Sequence, residues 1–268
     1  SGIGQNERDT QGSSWADYDG DGDLDLFVAN HGFVEPPPIL EYGPADANEL
    51  YLNNGDGTFT DISDRMAVTP NLGYTFQGLW FDFDGDRDLD LYVVNDFGQV
   101  ISNKLLYNEN GQLVLAEDQR GLDVSLASMG FAVGDVNRDA IPDFFISAWK
   151  EGTLLLSVAP QWFDFTDAVG IINELTLPRI GWGSWFSDFD SDGDQDLYVL
   201  YGFLDTHWPN PEEQLDSLFV QGDNLMMTDE ASGWSLTSQD ARRGLIVADV
   251  NADGWPDAAY TSVLGDHG

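Results

Sequence analysis

The chain has 268 residues, no cysteine, and 48 acidic against 10 basic side chains, for a formal net charge of −38. That balance excludes nucleic acid and a bare anionic membrane as partners, because binding phosphate needs a basic face, and the lack of cysteine excludes a disulfide framework or a thiolate metal site. A core is within reach at 42% hydrophobic and 13% aromatic residues, and no run approaches the ~18 apolar residues of an inserted membrane span, so the acidity points to bound cations, a salty medium, or both.

In chain order, the first predicted element is a strand, SSWADY, that runs into DYDGDGDLD at Asp17–Asp25 and leaves as a second strand, LDLFVAN. A long Pro-rich connection, HGFVEPPPILEYGPADAN (His31–Asn48), leads to ELYLNNGDGTFTDIS (Glu49–Ser63), which reads as strand, Gly/Asn turn, strand. The series then repeats. GLWFDF, DFDGDRDLD (Asp82–Asp90) and LDLYVVN precede the hairpin KLLYNENGQLVLAED. FAVGDV, DVNRDAIPD (Asp135–Asp143) and PDFFISA precede TLLLSVAPQWFDFTD. SWFSDF, DFDSDGDQD (Asp188–Asp196) and QDLYVL precede a second long connection, GFLDTHWPNPEEQLD (Gly202–Asp216), and SLFVQGDNLMMTDEA. LIVADV, DVNADGWPD (Asp249–Asp257) and PDAAYTS begin a fifth unit, which stops at His267–Gly268 before its second hairpin.

The flanks are short, β-branched and aromatic, without helical spacing, so each acidic loop joins two strands of a hairpin. Two hairpins per unit make a four-stranded blade, and blades in series predict an all-β fold, the β-propeller. We read 1–268 as one domain with units starting near 12, 77, 130, 183 and 244 and the last incomplete.

The loops share the pattern D-x-[DN]-x-D-x-x-x-D. Oxygens at alternate positions suit a hard cation, and calcium takes 6–8 of them. The side-chain ligands would be Asp17, Asp19, Asp21 and Asp25 in loop 1, and Asp82, Asp84, Asp86 and Asp90 in loop 2. In loop 3 they would be Asp135, Asn137, Asp139 and Asp143; in loop 4, Asp188, Asp190, Asp192 and Asp196; in loop 5, Asp249, Asn251, Asp253 and Asp257. The position-7 carbonyls of Asp23, Asp88, Ile141, Asp194 and Trp255 would add one oxygen each. Up to five structural Ca²⁺ ions are expected. Position 6 calls for a sharp turn, which suits Gly22, Gly193 and Gly254 but not Arg87 or Ala140, so loops 2 and 3 are expected to bind more weakly. An EF-hand is excluded: its position-12 acid is replaced by Val28, Val93, Ile146, Val199 and Tyr260.

The run MGFAVGDVNRDAIPDFFISA (Met129–Ala148) resembles an FG-GAP repeat, the blade of integrin α-subunit propellers. The pairing of the acidic loop with LYLNNGDGTFTDIS resembles the VCBS repeats of the cartilage acidic protein and UnbV group. The resemblance runs from about Gly12 to Ser262 and implies a calcium-bearing propeller, secreted or on a cell surface. Such rings usually close with seven blades, so we read the chain as part of a larger ring, with a five-unit ring as the alternative.

The histidines His31, His207 and His267 follow second strands, at the end of the blades opposite the acidic loops. His31, His207 and Trp208 are the candidate ligand contacts on the long connections, against a plainer reading as solvated loops; Trp149 and Trp234 are weaker candidates. Trp15, Trp80 and Trp185 lie inside strands and are expected to pack between blades. No nucleophile elbow, HExxH or phosphate-cradling loop is present, so binding is favoured over catalysis. The leading expectation is a calcium-stabilised recognition or adhesion module for a protein or glycan surface. The alternatives are a polysaccharide-active enzyme and a structural subunit of a surface assembly. Open calcium sites of this kind work at ~10⁻⁴–10⁻³ M, which places the protein in an extracellular, cell-surface or periplasmic setting.

Overall fold

The computed structural model describes residues 2–4, 8–32, 45–66, 73–150, 152–171, 179–202, 214–236 and 241–263. The chain divides into two compact units, Ser1–Ser128 and Met129–Gly268.

In the first unit, β1 (Thr10–Ala16), β2 (Asp25–Asn30), β3 (Glu49–Asn53) and β4 (Phe59–Asp61) form one antiparallel sheet in sequence order. The next sheet is β5 (Tyr74–Phe81), β6 (Asp90–Asp96), β7 (Lys104–Asn108) and β8 (Leu113–Leu115). The second unit repeats the meander. Its sheets are β9 (Ser128–Gly134), β10 (Asp143–Ala148), β11 (Thr153–Val158) and β12 (Gln161–Asp164), then β13 (Gly181–Ser187), β14 (Asp196–Tyr201), β15 (Ser217–Gln221) and β16 (Met227–Asp229). Last come β17 (Arg242–Ala248) and β18 (Asp257–Ser262), which pair only with each other among the described residues. The protein is thus all-β, with four four-stranded antiparallel sheets among the described residues, of the kind that serve as propeller blades. Among the described residues no helix is long and apolar enough to cross a membrane.

The sequence explains this layering. The second strands read DLFVAN, DLYVVND, DFFISA and DLYVLY and are buried almost throughout. A strand covered on both faces needs a continuous apolar run rather than alternation. The fourth strands are three or four residues long and mostly exposed, which leaves little free edge. Cores form between successive sheets. Tyr18, Phe27 and Leu50 meet Leu91, Val93 and Leu106 in the first unit. In the second unit Val136, Phe145 and Leu154 meet Phe186, Leu197 and Val199, and Phe189, Tyr198 and Leu218 meet Val247.

Close approach of the sheets depends on a glycine five residues before the loop. A Cβ on Gly12 would lie 2.4 Å from the Phe76 carbonyl oxygen; one on Gly130, 2.6 Å from that of Trp182; one on Gly183, 2.7 Å from that of Arg243. Each contact is to backbone of the next sheet's first strand, which cannot swing aside. Gly12→Ala is therefore expected to lower stability by about 1–3 kcal/mol through overpacking, read as a shifted urea midpoint, whereas Gly57→Ser, in the open turn between β3 and β4 where an added Cβ meets nothing, should not clash in this way.

The tryptophan expectation holds at one position of three. Trp80, two residues before loop 2, packs against Tyr18 and Phe27 of the preceding sheet. Trp15 holds the same place in the first sheet, which has no preceding sheet in its unit, and is 51% exposed. Trp185 lies three residues before its loop, on the opposite face from buried Phe186, and is 39% exposed. Strand parity, not residue type, decides which aromatic is core.

Candidate metal centres

All five acidic loops fold alike. The backbone N–H at position 6 donates to the position-1 carboxylate in each: Gly22 to Asp17, Arg87 to Asp82, Ala140 to Asp135, Gly193 to Asp188 and Gly254 to Asp249, at 2.9–3.1 Å. Position 5 donates to the position-3 side chain and position 7 to position 5, as in Asp21 to Asp19 and Asp23 to Asp21. These bonds turn the side chains of one loop toward a common centre. Carboxylate oxygens of Asp17, Asp19 and Asp25 lie within 4.8 Å of one another, as do those of Asp82, Asp84 and Asp86, and those of Asp188, Asp190 and Asp196.

Positions 4 and 6 have positive φ in every loop. Position 6 is glycine in three loops, but Arg87 (φ 86°) and Ala140 (φ 66°) adopt the same turn. Arg87 and Ala140 thus make the sharp turn that their side chains were expected to disfavour. Those residues are held left-handed at a cost of about 1–3 kcal/mol each.

The ninth-position aspartates are the most buried members. Asp25, Asp90, Asp143 and Asp196 are at most 1% exposed. One oxygen of each accepts the position-2 N–H, from Tyr18, Phe83, Val136 and Phe189. The other accepts an N–H at the end of the third strand, from Asn53, Asn108, Ser157 and Gln221. Asp257 receives Val250 N–H at 3.0 Å, but its sheet has no third strand among the described residues. Burial raises all four interior carboxyls above the usual carboxylate range, and Asp90 is pushed up to about 6. Asp88 is likewise raised to about 6, by burial and then by Asp86.

The donor set fits a hard cation. It is all oxygen and rich in carboxylate. Two buried loop oxygens, Asp17 Oδ1 and Asp88 Oδ1, have no hydrogen-bond partner among the described residues, an arrangement that costs free energy unless something positive meets them.

The third-strand residues went unnoticed in the sequence, although a signal exists. ELYLN, KLLYN, TLLLS and SLFVQ each end an apolar run on a small or amide side chain, at the point where that residue meets the loop.

At the opposite end of the sheets, His31 is buried rather than solvated. It is 8% exposed and ringed by Tyr74, Phe76 and Phe97. Its Nδ1 faces the Gly32 carbonyl at 3.0 Å and its Nε2 the Asp96 carboxylate at 3.3 Å. Two acceptors, one of them a carboxylate, favour the imidazolium. Burial alone lowers the pKa of His31, but Asp96, the Gly32 carbonyl and Asp9 outweigh it and hold the group above 6.5. The stability this contributes is fully present below the unfolded pKa and is lost as pH rises through the folded one. Thermal midpoints should therefore fall from pH 6 toward pH 9, and His31→Gln should flatten that part of the profile. His207 and Trp208 lie outside the described residues, as does most of both long connections. Trp234 is exposed, and the Trp149 indole nitrogen is buried with no hydrogen-bond partner among the described residues.

Residues 17–93 and 82–146 each match the family model of the FG-GAP-like repeat, and each match starts on the first aspartate of a loop. FG-GAP-like repeats thus occur twice in the chain. No curated protein matches it. Among solved structures, a lectin from Agrocybe aegerita, described as specifically recognising non-reducing terminal N-acetylglucosamine, is similar at 14% identity and a TM-score of 0.48, over 94% of this chain and 60% of that one. The exotype rhamnogalacturonan lyase YesX is similar at 13% identity and 0.46, over 95% and 45%. The rhamnogalacturonan lyase YesW is similar at 15% and 0.42, over 97% and 57%. The chain spans between 45% and 60% of the length of these structures.

Proposed function

We propose that the protein is a calcium-stabilised β-propeller domain that works outside the cytosol as a recognition or adhesion module for a protein or glycan surface. The observation that carries this reading is the one loop geometry repeated five times, with carboxylates converging in three of the loops, in a chain whose net charge is −38. In loop 1 the ion would be held by Asp17, Asp19, Asp21 and Asp25 with the Asp23 carbonyl, and by the corresponding residues of the other loops. The ion supplies charge compensation and locks each hairpin; every protein ligand comes from one hairpin, so the role is structural. Recognition then falls to the opposite edge, where the two long connections leave the second strands.

The test is binding of the calcium-loaded protein to glycan and extracellular-protein arrays, repeated in chelator. Micromolar binding lost on chelation is expected; a loaded, folded protein that binds neither class overturns the recognition role.

A further inference from the structure

The position-2 residue of loop 1, like that of loop 3, bonds in two directions. The N–H of Tyr18 goes to Asp25 of its own loop 1, at 3.0 Å. Its carbonyl accepts from the side-chain amide of Asn108, at 3.1 Å, at the end of the third strand of the next sheet. The backbone N–H of Asn108 in turn donates to Asp90, the ninth residue of loop 2, at 2.9 Å. Asn108 is 4% exposed, so water does not compete for these bonds. A second contact, from the Tyr18 hydroxyl to the Gly111 carbonyl, fixes the same pair of segments.

The second unit repeats the relay with different residues. Val136 N–H goes to Asp143 of loop 3 at 2.8 Å, and its carbonyl faces the Gln221 amide at 3.5 Å. The Gln221 backbone N–H donates to Asp196 of loop 4 at 2.9 Å. Loops 3 and 4 are tied further. Asp135 N–H donates to Gln195 Oε1 at 2.8 Å, and Arg138 reaches from loop 3 to the Gly193 carbonyl and the Asp194 carboxylate of loop 4. In the first sheet of each unit the equivalent residues turn back on their own loops: Asn53 bonds the Leu24 carbonyl and Ser157 bonds Asp139.

We propose that Asn108 and Gln221 are positioning residues that couple neighbouring cation loops, so that loops 1 and 2, and loops 3 and 4, fill cooperatively. The proposal rests on the calcium reading above. With loop 1 closed around an ion, Asp25 would hold the backbone of Tyr18 through its N–H. The Tyr18 carbonyl would in turn hold the Asn108 side-chain amide, and the Asn108 N–H would hold the Asp90 carboxylate in place for loop 2. Coupling of this kind is reciprocal, so either loop of a pair can lead.

The test is a calcium chloride titration of the full chain followed by amide resonances, with Gly22 reporting loop 1 and Arg87 reporting loop 2. Asp19→Asn should abolish the loop 1 response and weaken loop 2 about five-fold or more. With Asn108→Ala in place, adding Asp19→Asn should leave loop 2 affinity unchanged. If Asn108→Ala fails to fold, Gln221→Ala combined with Gln195→Ala and Arg138→Ala, which remove the other ties, and then with Asp190→Asn asks the same question of loops 3 and 4, read at Ala140 and Gly193. Loop 2 affinity indifferent to Asp19→Asn in the otherwise native chain overturns the coupling and leaves the calcium reading standing. Resonances that do not respond to millimolar calcium at all overturn the calcium reading, and the coupling with it.

Discussion

Asp216→Ala is expected to destabilise the second unit by about 3–5 kcal/mol, the cost of leaving a buried charge without its partner. Asp216 and Arg242 are 2% and 4% exposed and paired. Asp216 Oδ2 also accepts from the Tyr198 hydroxyl at 3.0 Å and Oδ1 from Tyr201 N–H at 3.1 Å. Arg242 bonds the Tyr260 hydroxyl at 3.1 Å, and its guanidinium lies 3.8 Å from the centre of that ring. One deletion thus leaves the guanidinium without its counter-charge, and the Tyr198 hydroxyl and the Tyr201 N–H without their acceptor.

The first unit shows what the pair replaces. There the residue just before the third strand is Asn48, and it donates to Thr75 Oγ1 at 2.9 Å. Thr75 sits seven residues before loop 2, as Arg242 sits seven before loop 5. Thr75 passes the bond on to Asn95 at 2.9 Å. The same sheet-to-sheet link is neutral in one unit and ionic in the other. The double variant Asp216→Asn with Arg242→Thr should accordingly recover much of the loss, because no charge is left buried and unpaired. Urea unfolding of both singles and the double measures this, and singles that lose less than about 1 kcal/mol would show that water reaches the pair.

Calcium should matter more than any single side chain. Each loop that binds only in the folded state adds about 2.7 kcal/mol at a free concentration one hundred times its Kd. For a domain of this size each kcal/mol is worth roughly 2–4 °C, so even one or two filled loops should raise the thermal midpoint by several degrees. The midpoint in chelator is expected to be the lower, and magnesium should substitute poorly, because it demands near-octahedral geometry and gives up water reluctantly. Equal midpoints in chelator and in millimolar calcium would mean that the loops hold their shape by the Asx-type backbone bonds alone.

Much of the fold was legible because its signals are local and repeated. The loop spacing, the apolar second strands and the Gly/Asn turns place the hairpins, and the structure pairs them as sheets in sequence order. What escaped was whatever depends on a neighbouring sheet. Trp15 and Trp80 hold the same place relative to their loops, yet only Trp80 has a sheet to pack against within its unit. His31 reads as a residue on a solvated connection, but the three aromatic rings and Asp96 that enclose it come from β5, β6 and the residue after it. Asp216 lies at the end of a Pro-rich stretch that looks like surface, and its burial is set by Arg242, 26 residues on. Arg87 and Ala140 appeared unsuited to a tight turn, but the carboxylate bonds of the loop hold them there.

The most direct test of the account is the number of calcium ions bound per chain, counted by native mass spectrometry after equilibration in millimolar calcium. The five loops share one geometry, so the account predicts discrete calcium adducts up to five, stripped by chelator. A chain that stays metal-free at that concentration would contradict it.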